Sequence, residues 1–153
     1  MKVLFVSGEF PPMQGGVGDY TRELGLALAR RGCRVQVATS AAAGPVEGLA
    51  VHPLLARWDW GAWPRLLALI RRERPDIVHV QYQAAAYGMH PAINLFPRGA
   101  RLLLAGRPRL AVTFHDLKVP YLFPKAGPLR RWIVEELARG SDAAITTNRE
   151  DYE

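Results

Sequence analysis

Short apolar runs alternate with amphipathic segments from one end of this chain to the other. The first run, Lys2 to Ser7, is almost continuously apolar, which is typical of a strand buried on both faces of a parallel sheet. Five further segments have strand character: Arg34 to Ser40, Leu49 to Leu54, Asp76 to Gln81, Arg109 to Phe114 and Asp142 to Thr146. The pattern therefore predicts six strands separated by helices.

Two helices are predicted from apolar residues at helical spacing. The first runs from Val17 to Arg31 and is closed by Gly32, and the last is stopped at Gly140. Their predicted apolar faces are Val17, Tyr20, Leu24, Ala27 and Leu28 in the first helix, and Leu129, Trp132, Ile133 and Leu137 in the last.

Prolines mark the two middle helices. Within Arg57 to Arg74, Pro64 lies near the first helical turn, where proline is tolerated, and the helix ends because the next residue is also proline. A further helix could extend from Pro91 to Ala105, but Pro97 and Gly99 interrupt its pattern. The sequence leaves this part of the chain open.

Strands that alternate with helices predict right-handed βαβ units and an α/β fold. We expect a Rossmann-like, doubly wound parallel sheet of order 3-2-1-4-5-6 with helices on both faces. Ligands of such sheets bind beyond the carboxyl ends of the strands, where the strand order reverses. The loops after Ser7, Val80, Phe114 and Thr146 are therefore expected to converge, although they are spread over the whole chain.

Composition fits one globular domain. The chain has 153 residues, of which 49% are hydrophobic and 22% are charged, enough for an ordinary core. Cys33 is the single cysteine, so no internal disulfide is possible, and a reducing compartment is expected. Its place between a helix and a strand suggests that it packs in the interior.

The net charge of +6 allows nucleic acid, an anionic membrane or phosphate-bearing substrates as partners. Nucleic acid is excluded as a predicted partner because no binding signature accompanies the charge. The apolar start is too short for a signal peptide, and no apolar run approaches the roughly 20 residues that span a bilayer. We expect a cytoplasmic protein. Trp58, Trp60 and Trp63 among arginines could form a peripheral contact with the inner membrane face, or simply a solvated surface.

The glycine-rich loop from Glu9 to Tyr20 has three interpretations. A dinucleotide fingerprint is weakly supported, because Thr21 stands at the third glycine position and no acidic residue ends the second strand. A nucleotide-triphosphatase loop is excluded, because there is no lysine between Lys2 and Lys118. The third interpretation is an open loop stiffened by Pro11 and Pro12, with a glycine pair at the helix start that favours an anion or sugar.

Several polar residues stand at the predicted strand ends. His115, followed by Asp116, could bond a sugar hydroxyl or exchange protons, or it could merely cap the strand. Gly15 and Gly16 are predicted to contact a ligand, because two consecutive glycines before a helix exceed what the turn requires. The other candidates for contact with a ligand are Glu9, Gln14, Asp19, Tyr20, Gln81, Tyr82, Thr147 and Asn148, and for each an ordinary solvated position is the alternative.

The remaining histidines do not indicate a metal. His79 lies inside a strand and is predicted to be a hydrogen-bonded core residue, while His52 and His90 show no metal-ligand spacing. No D-x-D pair of the metal-dependent sugar-nucleotide kind exists either. These observations predict no metal and no cofactor.

Four segments resemble, in order, the N-terminal half of the retaining glycosyltransferases of family 4, which have the GT-B architecture. They are EFPPMQGGVGDY (Glu9 to Tyr20), RPDIVHVQYQ (Arg74 to Gln83), LAVTFHD (Leu110 to Asp116) and SDAAITTNREDYE (Ser141 to Glu153). Each segment alone is common, but their order and spacing are fairly specific and cover almost the whole chain.

The resemblance implies that residues 1–153 form the acceptor-side half of an enzyme that moves a sugar from a nucleotide-diphosphate donor to an acceptor hydroxyl, with retention and without metal. It implies a nucleotide sugar and a carbohydrate or lipid-linked acceptor as partners, with His115 and Asp116 near the transferred centre. It also implies that Gly15 and Gly16 contact the donor or its phosphates, and that the other candidates line the acceptor side. The donor-binding C-terminal domain with its E-x7-E element has no counterpart here, so we expect a fragment that is inactive alone. A non-catalytic carbohydrate- or lipid-binding module and a nucleotide-cofactor-binding domain remain as alternatives.

Overall fold

The computed structural model describes residues 1–106, 108–116 and 127–147, with Asp116 described by its backbone alone. The strands are β1 (Lys2–Ser7), β2 (Arg34–Ser40), β3 (Ala50–Leu55), β4 (Ile77–Gln83), β5 (Arg109–Asp116) and β6 (Ala143–Thr146). The helices are α1 (Gly16–Arg30), α2 (Ala62–Glu73), α3 (Ala92–Leu103) and α4 (Gly127–Gly140). A single 3₁₀ turn, Ala84–Tyr87, follows β4.

The six strands form one parallel sheet of order β3-β2-β1-β4-β5-β6, as the sequence predicts. β1 lies between β2 and β4, and the order reverses between β1 and β4. β1 can lie at the centre because its residues are almost continuously apolar, and a central strand of a parallel sheet is covered on both faces. The switch point, where ligands of such sheets bind, therefore lies beyond Ser7 and Gln81, which face each other in register.

Alternate strand residues fill two separate cores. Leu4, Val6, Val80 and Val112 belong to the larger core, which they share with α2, α3 and α4. Val3, Phe5, Val35 and Val37 belong to a smaller core, together with Phe10 and partly buried leucines of α1. The period of two along each strand decides which core a side chain joins.

Two predicted helix faces differ from the structure. In α1, Tyr20 is 41% exposed, and Thr21 lies in the buried face instead. In α4, Leu129 and Trp132 are 59% and 45% exposed, whereas Leu137 is fully buried. Helical spacing identified the helices, but fewer of their apolar side chains are buried than the pattern predicted.

The segment that the sequence left open contains a regular helix. Pro97 and Gly99 lie inside α3, which is continuous from Ala92 to Leu103. α2 ends as expected before Pro75, because Arg74 takes the left-handed conformation, with φ 49° and ψ 59°.

The tryptophan segment is mostly interior rather than a surface belt. The Trp58 indole is buried and donates to Ser40 Oγ at 2.9 Å, and the partly buried Trp63 donates to the Ala92 carbonyl at 2.8 Å. Trp60 is 52% exposed. The predicted membrane contact therefore gains no support from this segment. None of the helices within the described ranges has the length and apolarity needed to cross a bilayer.

Candidate functional site

The candidate site is the edge of the sheet where β1, β4 and β5 end. The register places Ser7 opposite Gln81 and Gln81 opposite Thr113. His115 follows two residues after Thr113, on the same face of β5, and lies above Gln81. Three segments that are far apart in sequence thus meet at the switch point, as predicted.

His115 is held from two sides. Its Nε2 atom lies 2.8 Å from Gln81 Oε1, and the ring of Tyr20 packs against the imidazole edge to face, with centroids 4.7 Å apart. Burial lowers the pKa of His115 below its usual value, because it disfavours the charged form of the imidazole. The geometry therefore offers an imidazole that is held in place at the carboxyl end of β5.

Glu9 occupies the start of α1. Its Oε1 atom accepts the Val17 backbone N–H at 3.2 Å, which satisfies one of the free donors at the helix N-terminus. The carboxylate fills the space beside Gly15, where a Cβ atom would lie 2.0 Å from Oε1. Nothing lies within 4 Å of a Cβ built at Gly16. Gly15 is thus explained by an internal contact, whereas Gly16 opens to the outside.

We expect Glu9→Ala to lower the free energy of unfolding by about 1 kcal/mol, because the Val17 N–H loses its acceptor. Gly15→Ala should cost a similar amount, since the new methyl group displaces the same carboxylate. Urea unfolding of both single variants and the double variant measures the coupling. Both substitutions remove the same hydrogen bond, between the Glu9 carboxylate and the Val17 N–H. Gly15→Ala should therefore cost almost nothing when Glu9 is already alanine. Fully additive costs would contradict this account.

Two of the acceptor-side candidates are interior. Gln81 is fully buried, and Tyr82 is 5% exposed, on the opposite face of the sheet, where it packs against Tyr87 and Phe114. Neither side chain reaches the surface of the sheet edge. Strand position alone predicted their place along β4 but not the direction in which they point.

Other candidates are exposed around the same edge. Gln14, Asp19 and Thr147 are exposed, and Asp19 forms a long ion pair with Arg22 at 3.9 Å. Thr147 donates to the Phe114 carbonyl at 3.2 Å, which joins β6 to the end of β5. Asn148 and the side chain of Asp116 lie outside the described residues.

Tyr87 is a site residue that sequence reasoning missed. Its buried hydroxyl lies 2.8 Å from the Val6 carbonyl and 2.9 Å from the Gln81 carbonyl, so it joins β1 to β4 at the switch point. Nothing in the short A-A-A-Y-G segment signals this role, because it depends on the return of the 3₁₀ turn over the sheet.

The other histidines agree with their interpretation as structural residues. His79 is largely buried, its Nε2 lies 2.8 Å from Thr113 Oγ1, and burial lowers its pKa to about 4. His90 Nδ1 accepts the Ala92 N–H at the start of α3. Cys33 is partly buried against the smaller core. In the part of the chain that the structure describes, no three His, Cys, Asp or Glu residues are grouped to hold a metal ion.

The six-stranded parallel sheet of order β3-β2-β1-β4-β5-β6, with helices on both faces, defines a Rossmann-like domain. The chain belongs to the glycosyl transferase 4-like domain family, whose model matches residues 15–153. The resemblance to family 4 glycosyltransferases is thereby confirmed. No curated protein sequence matches the chain.

A solved structure with the same fold is sucrose-phosphate synthase from Thermosynechococcus elongatus. The two align with a TM-score of 0.72 and 16% sequence identity, over 99% of this chain and 43% of that one. At this identity the likeness supports the fold alone. The chain spans less than half the length of that enzyme.

Proposed function

We propose that this domain is the acceptor-side half of a retaining glycosyltransferase that moves a sugar from a nucleotide-diphosphate donor to an acceptor hydroxyl without a metal ion. The observation that carries the proposal is the imidazole of His115, which Gln81 and Tyr20 hold at the switch point of a glycosyl transferase 4-like domain. A neutral imidazole in this position can bond a sugar hydroxyl.

The glycine loop contributes differently from a phosphate loop. Because the Glu9 carboxylate already lies at the N-terminus of α1, a diphosphate placed there would meet a negative charge. We therefore assign the donor diphosphate to a second domain, in which helix N-termini and cations stabilise its charge. In this domain Gly16 allows a sugar ring to approach the backbone, since the space beside it is open.

The same carboxylate weakens the cofactor alternative. A dinucleotide of the Rossmann type places its pyrophosphate on the N-terminus of the first helix, where Glu9 accepts the Val17 N–H. Titration with reduced nicotinamide nucleotide should leave its fluorescence unchanged. Tight binding in that titration would favour an oxidoreductase domain.

Binding of sugars tests the proposal on the chain itself. We expect a panel of methyl glycosides to contain members that shift the backbone amide NMR signals of Gly16, Tyr20 and Thr147 in a saturable way. His115→Ala should weaken that binding about tenfold, because one hydrogen bond to the ligand is lost. His90→Ala is the matched control and should bind normally, because His90 accepts the Ala92 N–H at the start of α3 and packs against Trp60.

Activity distinguishes a transferase half from a binding module. We expect no transfer from labelled sugar nucleotides by residues 1–153 alone, in the presence of a chelator. Transfer should appear, still in chelator, when the chain is extended by a donor-binding domain. Saturable glycoside binding without transfer by any extended chain would instead support a non-catalytic carbohydrate-binding module.

A further inference from the structure

Gln81 is a fully buried amide near the carboxyl end of β4. It is 0% exposed, and its neighbours across the sheet are Ser7 of β1 and Thr113 of β5. Burial of an amide is unfavourable unless its polar atoms are paired, so a buried glutamine next to a functional histidine calls for an explanation.

The oxygen and the nitrogen of the Gln81 amide differ in their hydrogen bonding. Oε1 lies 2.8 Å from His115 Nε2, whereas the buried Nε2 of Gln81 has no hydrogen-bond partner among the described residues. An unpaired buried donor destabilises the fold, and an apolar residue of the same size would avoid that cost. The hydrogen bond to His115 is thus the one contact of this side chain that a leucine or methionine could not make.

We infer that Gln81 is a positioning residue: by accepting the Nε2 proton of His115, it fixes the imidazole in one tautomer and leaves Nδ1 as a hydrogen-bond acceptor for a ligand hydroxyl. Tyr20 packs against the same ring and limits its rotation. Because Nε2 is engaged by Gln81, Nδ1 is the ring nitrogen that we assign to the ligand.

The tautomer determines which ligand group His115 recognises. A carbonyl oxygen can only accept, so the single proton of a neutral ring lies on Nε2, and Nδ1 then carries a lone pair. A lone pair bonds a hydroxyl hydrogen and repels a phosphate or carboxylate oxygen. That the hydroxyl belongs to a sugar rests on the proposed function, whereas the tautomer does not.

The opposite orientation of the amide makes the opposite prediction. If the amide were rotated by 180°, its NH2 group would donate to His115 Nε2, and the ring proton would then lie on Nδ1. His115 would become a donor toward the ligand, suited to an oxyanion. The position of one proton therefore separates the two arrangements.

Long-range ¹H–¹⁵N NMR of the ring nitrogens measures that position in the unmodified protein at pH 7. We expect His115 to show a protonated Nε2 and an unprotonated Nδ1, with an Nε2 proton that exchanges slowly with water. A neutral ring protonated at Nδ1 would overturn the proposal. Because this measurement uses no ligand, its failure is distinct from failure of the glycoside titration, which tests the proposed function.

Two charge substitutions on β4 test the contact itself. Gln81→Glu places a carboxylate beside Nε2 of His115. It should raise the pKa of His115 by about 1 pH unit or more, because the imidazolium gains a charged partner. Gln83→Glu adds the same charge two residues further along the same face, without a bond to the ring. Equal increases in the two variants would show a general field effect and refute the positioning role.

The other groups near His115 do not confuse this titration. Among the described residues, Tyr20 contacts the ring and His79 acts on it electrostatically, and His79 remains neutral down to about pH 4 because burial lowers its pKa. Asp116 follows in the chain and is the same in every variant. If Gln81→Glu fails to fold, Gln81→Met should fold and lose the slowly exchanging Nε2 proton. Persistence of that proton in Gln81→Met would equally refute the proposal.

Discussion

Replacing Gly8 with alanine is expected to lower the free energy of unfolding by about 3 kcal/mol, the upper end of the usual cost of overpacking. A Cβ atom at this position would lie 2.2 Å from the Ala86 carbonyl oxygen and 2.6 Å from its carbon. Both atoms belong to the backbone of the 3₁₀ turn, so no side-chain rotation can relieve the clash. The loop after β1 and the segment after β4 would have to separate.

Urea unfolding monitored by tryptophan fluorescence measures this cost. Gly16→Ala is the matched control from the same loop, because nothing lies within 4 Å of its added Cβ, and alanine favours the helix that begins there. The control should be neutral or slightly stabilising. Ala86→Gly should not rescue Gly8→Ala, since the clash is with the carbonyl group. Similar effects of the two alanine substitutions would argue against this packing.

Acidification should destabilise the domain through His79. Its pKa is about 4 in the folded protein and 6.5 in the unfolded chain, because burial disfavours the charged ring. Above pH 6.5 both states are neutral and the stability is complete. As the pH falls from 6.5 to 4, the unfolded chain binds a proton at His79 that the folded protein does not bind. The free energy of unfolding therefore falls by about 3 kcal/mol over this window.

Unfolding free energies at pH 7 and pH 5 test this prediction, since carboxyl groups ordinarily titrate below that range. We expect a loss of about 2 kcal/mol between the two values. Burial also lowers the pKa of His52 and His115, which contribute in the same direction. His79→Gln keeps a polar partner for Thr113 and should remove most of the pH dependence. An unchanged pH dependence in that variant would assign the effect elsewhere.

The sheet was predictable because each strand corresponds to a separate apolar segment of the sequence. β1 and β2 have the predicted bounds, and alternation with helices was enough to give the strand order. The continuity of α3 was not predictable from Pro97 and Gly99. It depends on tertiary contacts, since Pro97 packs beside Gly140 of α4, and Gly99 leaves room for the ring of Trp63.

The convergence of the candidate residues was predictable from the sequence, but the contacts that they make were not. Topology brought Gly16, Tyr20, His115 and Thr147 to one edge because parallel strands end together. It could not show that Glu9 turns back onto the helix start, nor that Gln81 is buried against His115. Those contacts depend on side-chain direction and on backbone approach across the sheet, which a pattern of residue types does not specify.

The central place of β1 has a consequence for the order of events during synthesis. β1 can pair with β2 soon after residue 40 leaves the ribosome, but its other edge waits for β4, which ends at Gln83. Until then the nascent chain presents an apolar strand with unpaired backbone groups, the kind of edge that recruits chaperones or aggregates. Pauses in translation before β4 would lengthen that exposure. Pauses after β5 would not, because both edges of β1 can by then be paired.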